Sequence, residues 1–433
     1  MSALHNSLER QELDSPKCHP KTRLAVLNRL VEWINNYDDD ISILWLYGAA
    51  GAGKSAIAHT LAEICERDDC LLATFFFWRT STERRNAARF VATLAYQISR
   101  AIPASRPLIE DAVASDPMVF DLSIDTQLVK LIFTPLYRLK STGFNFNDVP
   151  FVVIIDGLDE CQGHHLQSVI VKSLAAGLSN SQLGLRILIT SRPEVHLRTT
   201  FNSSTIDPFT SRLALSSENS SRRDIYRFLQ VSFEKIKKEH PLSRYIPSWW
   251  PPWEALQELS QKSSGQFVFA STAIKYIGGD PCELPTRRLD VIRQVQPPRG
   301  EQDLPYGELD ALYHHVLSNV RNIEGVKQVL GARLIIPVYR LNHSEKLLGT
   351  SAMDEFLFWR LGEVEACLSQ LASLITYQAD GTILVHHASL VDFLLDRSRS
   401  RQFYLHRETV LGDCAALALR HLHERVDPGG MFY

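Results

Sequence analysis

The chain has 433 residues, 45% of them hydrophobic, which is more than one ordinary domain needs and enough for two or three packed units. Lysine plus arginine number 46 against 49 acidic residues, a balance that excludes a broad electrostatic footprint for nucleic acid or an anionic membrane. The polar stretch Met1 to Asp14 is no secretory signal, no apolar run approaches the roughly 20 residues that cross a bilayer, and the seven cysteines lack zinc-site spacing, so a cytoplasmic protein with reduced thiols is expected.

After a polar leading segment, Leu24, Val26, Leu27, Leu30, Val31 and Ile34 recur at helical spacing and predict a first helix over Lys21 to Tyr37. The apolar, β-branched run Ile41 to Tyr47 predicts a buried strand ending at glycine, and similar runs follow at Leu71 to Trp78, Phe151 to Ile155 and Leu185 to Thr190. Helical stretches separate them. Strands alternating with helices predict a parallel sheet covered on both faces. Near Ser220 the pattern turns helical, first over Asp224 to Lys238, where Ile225, Phe228, Leu229, Phe233 and Ile236 share a face. The run Pro247 to Trp253, with three prolines, predicts a loop with aromatic anchors, and the proline-rich stretch Pro281 to Pro305 predicts a linker. Beyond it, Leu374 to Tyr377 and Ile383 to His387 predict a hairpin turning at Asp380-Gly381, followed by a helix over Ser389 to Leu395 and a last helical stretch over Val410 to Arg425. The sequons at Asn202 and Asn219 carry no weight in a cytosolic chain.

Chemistry concentrates at the ends of three predicted strands. Gly48-Ala49-Ala50-Gly51-Ala52-Gly53-Lys54-Ser55 has the full spacing of a phosphate-binding loop, with a strand before it and a helix after it. Its glycines let backbone N–H groups turn toward phosphate oxygens while the helix, entered through Ala56, brings its positive end to the same place. Lys54 would bridge the terminal phosphates of a nucleoside triphosphate, and the Ser55 hydroxyl would ligate Mg2+. Asp156, just past the strand Phe151 to Ile155, would hold the same metal, and Asp159 or Glu160, one turn further, could orient an attacking water. Thr190-Ser191-Arg192 places an arginine at the third strand end, where it could reach a γ-phosphate.

With these motifs in place, the sequence resembles the NACHT family of signal-transduction ATPases, and within it the fungal NLR-like proteins. The most specific block is Ile154-Ile155-Asp156-Gly157-Leu158-Asp159-Glu160-Cys161, which looks like the family's extended acidic motif. Phe75 to Arg79, Thr93 to Ile98 and Leu309 to Leu317 also look like fungal members. The resemblance implies an α/β fold, a P-loop NTPase with a doubly wound parallel sheet, followed by an α-helical domain and a winged-helix domain. The corresponding divisions are residues 1–40 for the leading segment and first helix, 41–220 for the nucleotide-binding domain, 221–300 for the helical domain and linker, 301–405 for the winged-helix-like domain and 406–433 for a helical stub.

The same resemblance implies that His387, in His387-Ala388-Ser389-Leu390, contacts the β-phosphate and holds an ADP-bound closed state. It further implies ATP and ADP with Mg2+ as ligands, slow hydrolysis, self-association in the ATP state, and effector or sensor proteins of unstated identity as partners. The biological setting implied is fungal innate immunity, self/non-self recognition or programmed cell death. Family members also carry an effector domain and a repeat array for which this chain has no room, so a fragment or a minimal switch is expected. The alternative is a scaffold that keeps nucleotide as a structural cofactor without turnover. A phosphotransferase fits poorly, because half of the chain goes to helices and a winged hairpin, and nucleic acid is not an expected partner, because the hairpin segment is not unusually basic.

Overall fold

The computed structural model describes residues 17–36, 41–79, 84–146, 149, 151–181, 183–215, 219–298, 300, 301, 304–335, 350–377 and 383–425. The predicted turn at Asp380-Gly381 lies outside the described residues. The chain divides into two compact units, Met1–Ser221 and Arg222–Tyr433, and the boundary falls where the strand-helix alternation stops in the sequence.

In the first unit, helix α1 (Leu24–Asn35) precedes strand β1 (Ile43–Tyr47), helix α2 (Lys54–Arg67) and strand β2 (Leu71–Phe76). Helices α3 (Phe90–Ala101), α4 (Arg106–Ser115), α5 (Ile124–Leu128) and α6 (Thr134–Ser141) follow, with the π-helical stretch Val129–Phe133 joining the last two. Then come strand β3 (Val152–Asp156), helix α7 (His164–Ser181), strand β4 (Arg186–Ser191), helix α8 (Val195–Phe201) and strand β5 (Thr210–Ala214). All five strands run parallel in the order β2-β3-β4-β1-β5. Successive side chains of a strand point to opposite faces, and the two faces fill separate cores. Ile43, Trp45, Phe75, Val153, Ile155, Ile187 and Ile189 pack with α3, α7 and α8 residues such as Leu94, Leu174 and Phe201. Leu44, Leu46, Phe76, Val152, Ile154 and Leu188 pack with Leu27 and Leu30 of α1 and Ile57 and Leu61 of α2. A strand buried on both faces must be apolar throughout, which is why β1, β3 and β4 are legible as continuous hydrophobic runs. β5 is not among the predicted strands. It is an edge strand with one neighbour, and of its residues Thr-Ser-Arg-Leu-Ala only Leu213 joins an apolar core.

The second unit opens with helix α9 (Asn219–Glu239), longer than predicted at its amino end. Helices α10 (Trp253–Lys262), α11 (Phe267–Gly278), α12 (Pro285–Gln294), α13 (Gly307–Ser318) and α14 (Ile323–Ile335) follow, then α15 (Thr350–Phe356) and α16 (Glu363–Leu368). Two expectations need correction here. The stretch read as a linker contains α12, because Pro285 sits in the first turn, where its missing N–H costs nothing, and Leu289 and Ile292 are buried on one face. Of the three tryptophans in the proline-rich loop only Trp250 is an anchor, edge-on to Phe233 at 5.0 Å between ring centroids, while Trp249 and Trp253 are exposed.

The hairpin forms as predicted, with strands β6 (Ile375–Tyr377) and β7 (Ile383–Val385) antiparallel and Thr376 opposite Leu384. Helices α17 (Ala388–Leu394), α18 (Arg397–Ser400) and α19 (Arg407–Arg425) complete the unit. One buried apolar cluster runs from Ile225 through Leu312 and Phe393 to Leu405, across the division expected near residue 300. No helix among the described residues is long and apolar enough to cross a membrane, and the seven cysteines are free thiols.

Candidate functional site

The phosphate loop leaves the carboxyl end of β1, and α2 begins at Lys54 with Gly53 as its N-cap. Gly51 and Gly53 have φ of 76° and 90°, a left-handed backbone open to glycine at no steric cost, so the predicted glycines stand where the turn requires them. Gly48 is required for closeness instead, since a Cβ there would lie 3.1 Å from both Cβ and O of Leu215. The Lys54 ammonium folds back over the loop and donates to the carbonyls of Gly48 and Ala49, both at 2.9 Å. Burial lowers its pKa, with Arg192 adding to the effect, while the carboxylates of Asp159, Asp156 and Glu160 oppose it. A partly desolvated lysine ringed by three acids and one arginine is a site whose charges converge on one point.

The acids come from β3. Asp156 is its last residue, 3% exposed, and its Oδ1 accepts a 2.6 Å hydrogen bond from Thr190 Oγ1 at the end of neighbouring β4. The Thr190 hydroxyl in turn accepts from the Gly157 N–H at 3.0 Å. β4 lies between β1 and β3 in the sheet, so its end stands between the phosphate loop and the acidic motif. Asp159 is buried, and both of its carboxylate oxygens meet Arg192: the backbone N–H donates to Oδ1 at 3.0 Å and Nε lies 3.1 Å from Oδ2. Glu160 Oε2 accepts the Arg79 N–H at 2.9 Å, and burial together with the Asp159 carboxylate pushes its pKa up to about 7.

Lys54, Asp156, Asp159, Glu160 and Arg192 are therefore brought together at the carboxyl edge of β1, β3 and β4, with Ser55 and Ala56 in the first turn of α2. His387 belongs to the second unit, where it is the N-cap of α17. Its Nδ1 accepts from the Ser389 N–H at 3.1 Å and lies 2.7 Å from Ser389 Oγ, and that hydroxyl is 2.8 Å from the buried Tyr313 hydroxyl. An imidazole accepting a backbone N–H at Nδ1 carries its proton on Nε2 when neutral.

Sequence reasoning missed several supporting residues. Arg23, buried at the start of α1 with φ of 57°, donates from Nη2 to the Ala52 carbonyl of the loop at 2.8 Å and from Nη1 to Ser221 Oγ at 2.7 Å. Gln167 of α7 donates to the Cys161 carbonyl at 2.7 Å and to the Asp159 carbonyl at 3.3 Å, fixing the acidic loop from behind. Neither belongs to a motif, and an arginine at the edge of an amphipathic helix reads as a solvated residue. Thr190 had a weak signal, lying next to Arg192 at a predicted strand end.

The model of the nephrocystin 3 amino-terminal family matches residues 25–192, a span that takes in the phosphate loop, the acidic motif and Arg192. None of the curated proteins matches the chain. Among solved structures, it is similar to Cdc6p from Pyrobaculum aerophilum, at 11% identity over 95% of this chain and 98% of that one, with a TM-score of 0.39. It is also similar to the Orc1 protein of Aeropyrum pernix in complex with DNA, at 14% identity, 88% and 94% coverage and a TM-score of 0.40. The Drosophila ORC bound to DNA matches at 12% identity, 90% and 97% coverage and a TM-score of 0.33. Likenesses this distant carry no functional argument.

Proposed function

We propose that the chain is a nucleotide-dependent signalling switch of the NACHT type, closed with ADP and open with ATP, and a slow ATPase. The observation that carries this reading is the ion pair between Arg192 and Asp159 beside a desolvated Lys54. A switch needs a group whose contacts differ between two ligands, and an arginine that can exchange a carboxylate for a γ-phosphate oxygen is such a group. The residues fit the ligand: the backbone of Gly48 to Gly53 and the Lys54 ammonium would hold the phosphates, and Ser55 with Asp156 would hold Mg2+. The bound ATP supplies the phosphoanhydride whose cleavage resets the switch.

Thr190 fixes the Asp156 carboxylate by donating to its Oδ1. Asp159, with both oxygens at Arg192, is the positioning residue. Glu160 takes the role of base, since a carboxyl near pH 7 is poised to accept a proton from water. In the second unit, β6, β7 and α17 are read as the winged-helix element, and the Nε2–H of His387 as the donor that would favour the closed, ADP-bound state. The motifs shared with fungal NLR-like proteins support a role in fungal innate immunity or programmed cell death, with self-association in the ATP form.

The ADP content of purified protein tests the reading. Lys54→Ala should abolish nucleotide retention and His387→Ala should loosen ADP, and unchanged content in both variants would overturn it. One observation favours the alternative of a non-catalytic scaffold, namely that Arg192 occupies the Asp159 carboxylate. Single-turnover release of γ-phosphate by wild type and Glu160→Gln separates the two, equal rates favouring the scaffold.

A further inference from the structure

Behind the acidic loop, three side chains that the nucleotide chemistry does not use converge from two elements. His164 opens α7, Glu194 precedes α8 and His196 lies in its first turn. One ligand atom from each lies within 4.8 Å of the others. The Glu194 Oε2 atom is 3.7 Å from His164 Nε2 and 3.7 Å from His196 Nδ1.

The hydrogen bonding around His196 decides how this cluster reads. Gln167 donates its amide N–H groups to the carbonyls of Cys161 and Asp159, so its Oε1 is the accepting end, and it lies 2.6 Å from His196 Nε2. The proton of a neutral His196 ring is therefore on Nε2, and Nδ1 turns a lone pair toward the Glu194 carboxylate. Two acceptors facing one another at 3.7 Å form no hydrogen bond, whereas a cation between them satisfies both. An imidazole that donates its far N–H to a fixed amide or carboxylate oxygen and offers its near nitrogen is the outer-shell arrangement of metal-bound histidine. Glu194 supports the reading from its own side. It stands at the N-cap of α8 in extended conformation, yet its side chain caps no N–H of that helix and lies by the two imidazoles instead.

We propose that His164, Glu194 and His196 form a binding site for a divalent transition-metal ion of the zinc type, with water in the remaining position. Two imidazole nitrogens and one carboxylate select such an ion over Mg2+ or Ca2+, which take oxygen ligands. Bonds of about 2.0–2.1 Å in a tetrahedron put ligand atoms roughly 3.3 Å apart, so the two 3.7 Å separations need little closing. The rings of His164 and His196 stack with centroids 4.3 Å apart, and His164 must turn to bring an ion into the plane of its ring. Its side chain is 74% exposed, so beyond this stacking on His196 little opposes the turn. The site goes beyond the nucleotide switch and does not depend on it.

The test is titration of the full chain, stripped with chelator and free of nucleotide, with Zn2+ alone by calorimetry and with Co2+ alone by visible absorption. Wild type is expected to bind about one Zn2+ at this site, and His164→Ala, which removes only an exposed side chain, to weaken it by about 10- to 100-fold. Gln167→Leu should weaken it over the same range if that residue positions the ring. The Co2+ complex should show ligand-field bands without a thiolate charge-transfer band. Zn2+ affinity unchanged in both His164→Ala and His196→Ala, a thiolate band in the Co2+ spectrum, or no binding by the folded wild type would each overturn the site.

Discussion

The phosphate-loop edge of the first unit and the region around the hairpin of the second both gather charged and polar side chains, and they treat them in opposite ways. In the second unit the groups satisfy one another: Arg399 forms a two-pronged pair with Asp310, Nε to Oδ2 at 3.0 Å and Nη2 to Oδ1 at 2.7 Å, and Tyr313, Ser389 and His387 Nδ1 form a hydrogen-bonded chain. In the first unit three acids surround one lysine and one arginine, and burial works against the charged form of both Lys54 and Glu160. Satisfied charge holds structure together, and frustrated charge marks the place where a ligand completes the set. Loss of Lys54 in the first unit should therefore cost binding, and loss of the Arg399–Asp310 pair in the second should cost stability.

The largest effect is expected at the loop. Lys54→Ala removes the cation that phosphate would meet and should weaken nucleotide binding by roughly 100-fold, about 2.7 kcal/mol, in a fluorescence titration. Its unfolding midpoint in denaturant should stay near that of wild type, because burial already disfavours the ammonium. A large loss of stability with intact binding would reverse the comparison.

The converse is expected of Arg399→Met. It leaves Asp310, whose side chain is 16% exposed, without the guanidinium that pairs both its oxygens, and should cost about 2–3 kcal/mol in urea unfolding. Nucleotide affinity should not change. If affinity fell with stability intact, the second unit would be shaping the nucleotide site through this pair.

Much of this division was legible in the sequence because the two layers of information differ in kind. The spacing of the phosphate loop puts Gly48, Gly53 and Lys54 after a predicted strand, while Asp156 and Arg192 are legible at the ends of two further apolar runs, Arg192 only in company with the earlier motifs. Core strands buried on both faces announce themselves as apolar runs. What stayed hidden depends on neighbours distant in the chain. Arg23 holds the loop through the Ala52 carbonyl, and nothing in its local sequence points there. Gly177 sits mid-helix in α7 because a Cβ would come within 2.1 Å of the Phe133 ring, a contact between segments that only folding brings together. His164 and His196 belong to different helices, and their stacking depends on how α7 packs against α8.

A smaller effect tests the frustration itself through pH. The Glu160 carboxyl is raised to about 7 in the fold, above its ordinary value, so the folded state holds its proton where the unfolded state has released it. By linkage, Glu160 then costs no stability below about pH 4.5, costs progressively more as pH rises, and costs its full amount above about pH 7. Glu160→Gln removes that cost while keeping an acceptor for the Arg79 N–H. It should be more stable than wild type by about 1–2 kcal/mol at pH 8, allowing for solvent screening, and equal to it near pH 4.5. Urea unfolding of both proteins across this range measures the difference, and a variant less stable at pH 8 would place Glu160 among the structural acids.

The smallest effect bears on whether the two strand ends act as one site. Thr190 Oγ1 donates to Asp156 Oδ1 and accepts from the Gly157 N–H, so a single hydroxyl ties the carboxylate to the end of β4. Thr190→Val keeps the shape and removes both bonds. The unfilled Gly157 N–H should lower stability by roughly 1 kcal/mol, and the released Asp156 carboxylate should hold Mg2+ less well, weakening Mg2+-dependent nucleotide binding by about five- to tenfold while Mg2+-free binding changes little. Titrations with and without Mg2+ separate the two contributions. Equal loss in both conditions would mean that Thr190 supports only the fold of the edge; loss confined to the Mg2+ condition would show that β4 contributes to the site through Thr190, alongside Arg192 just past its end.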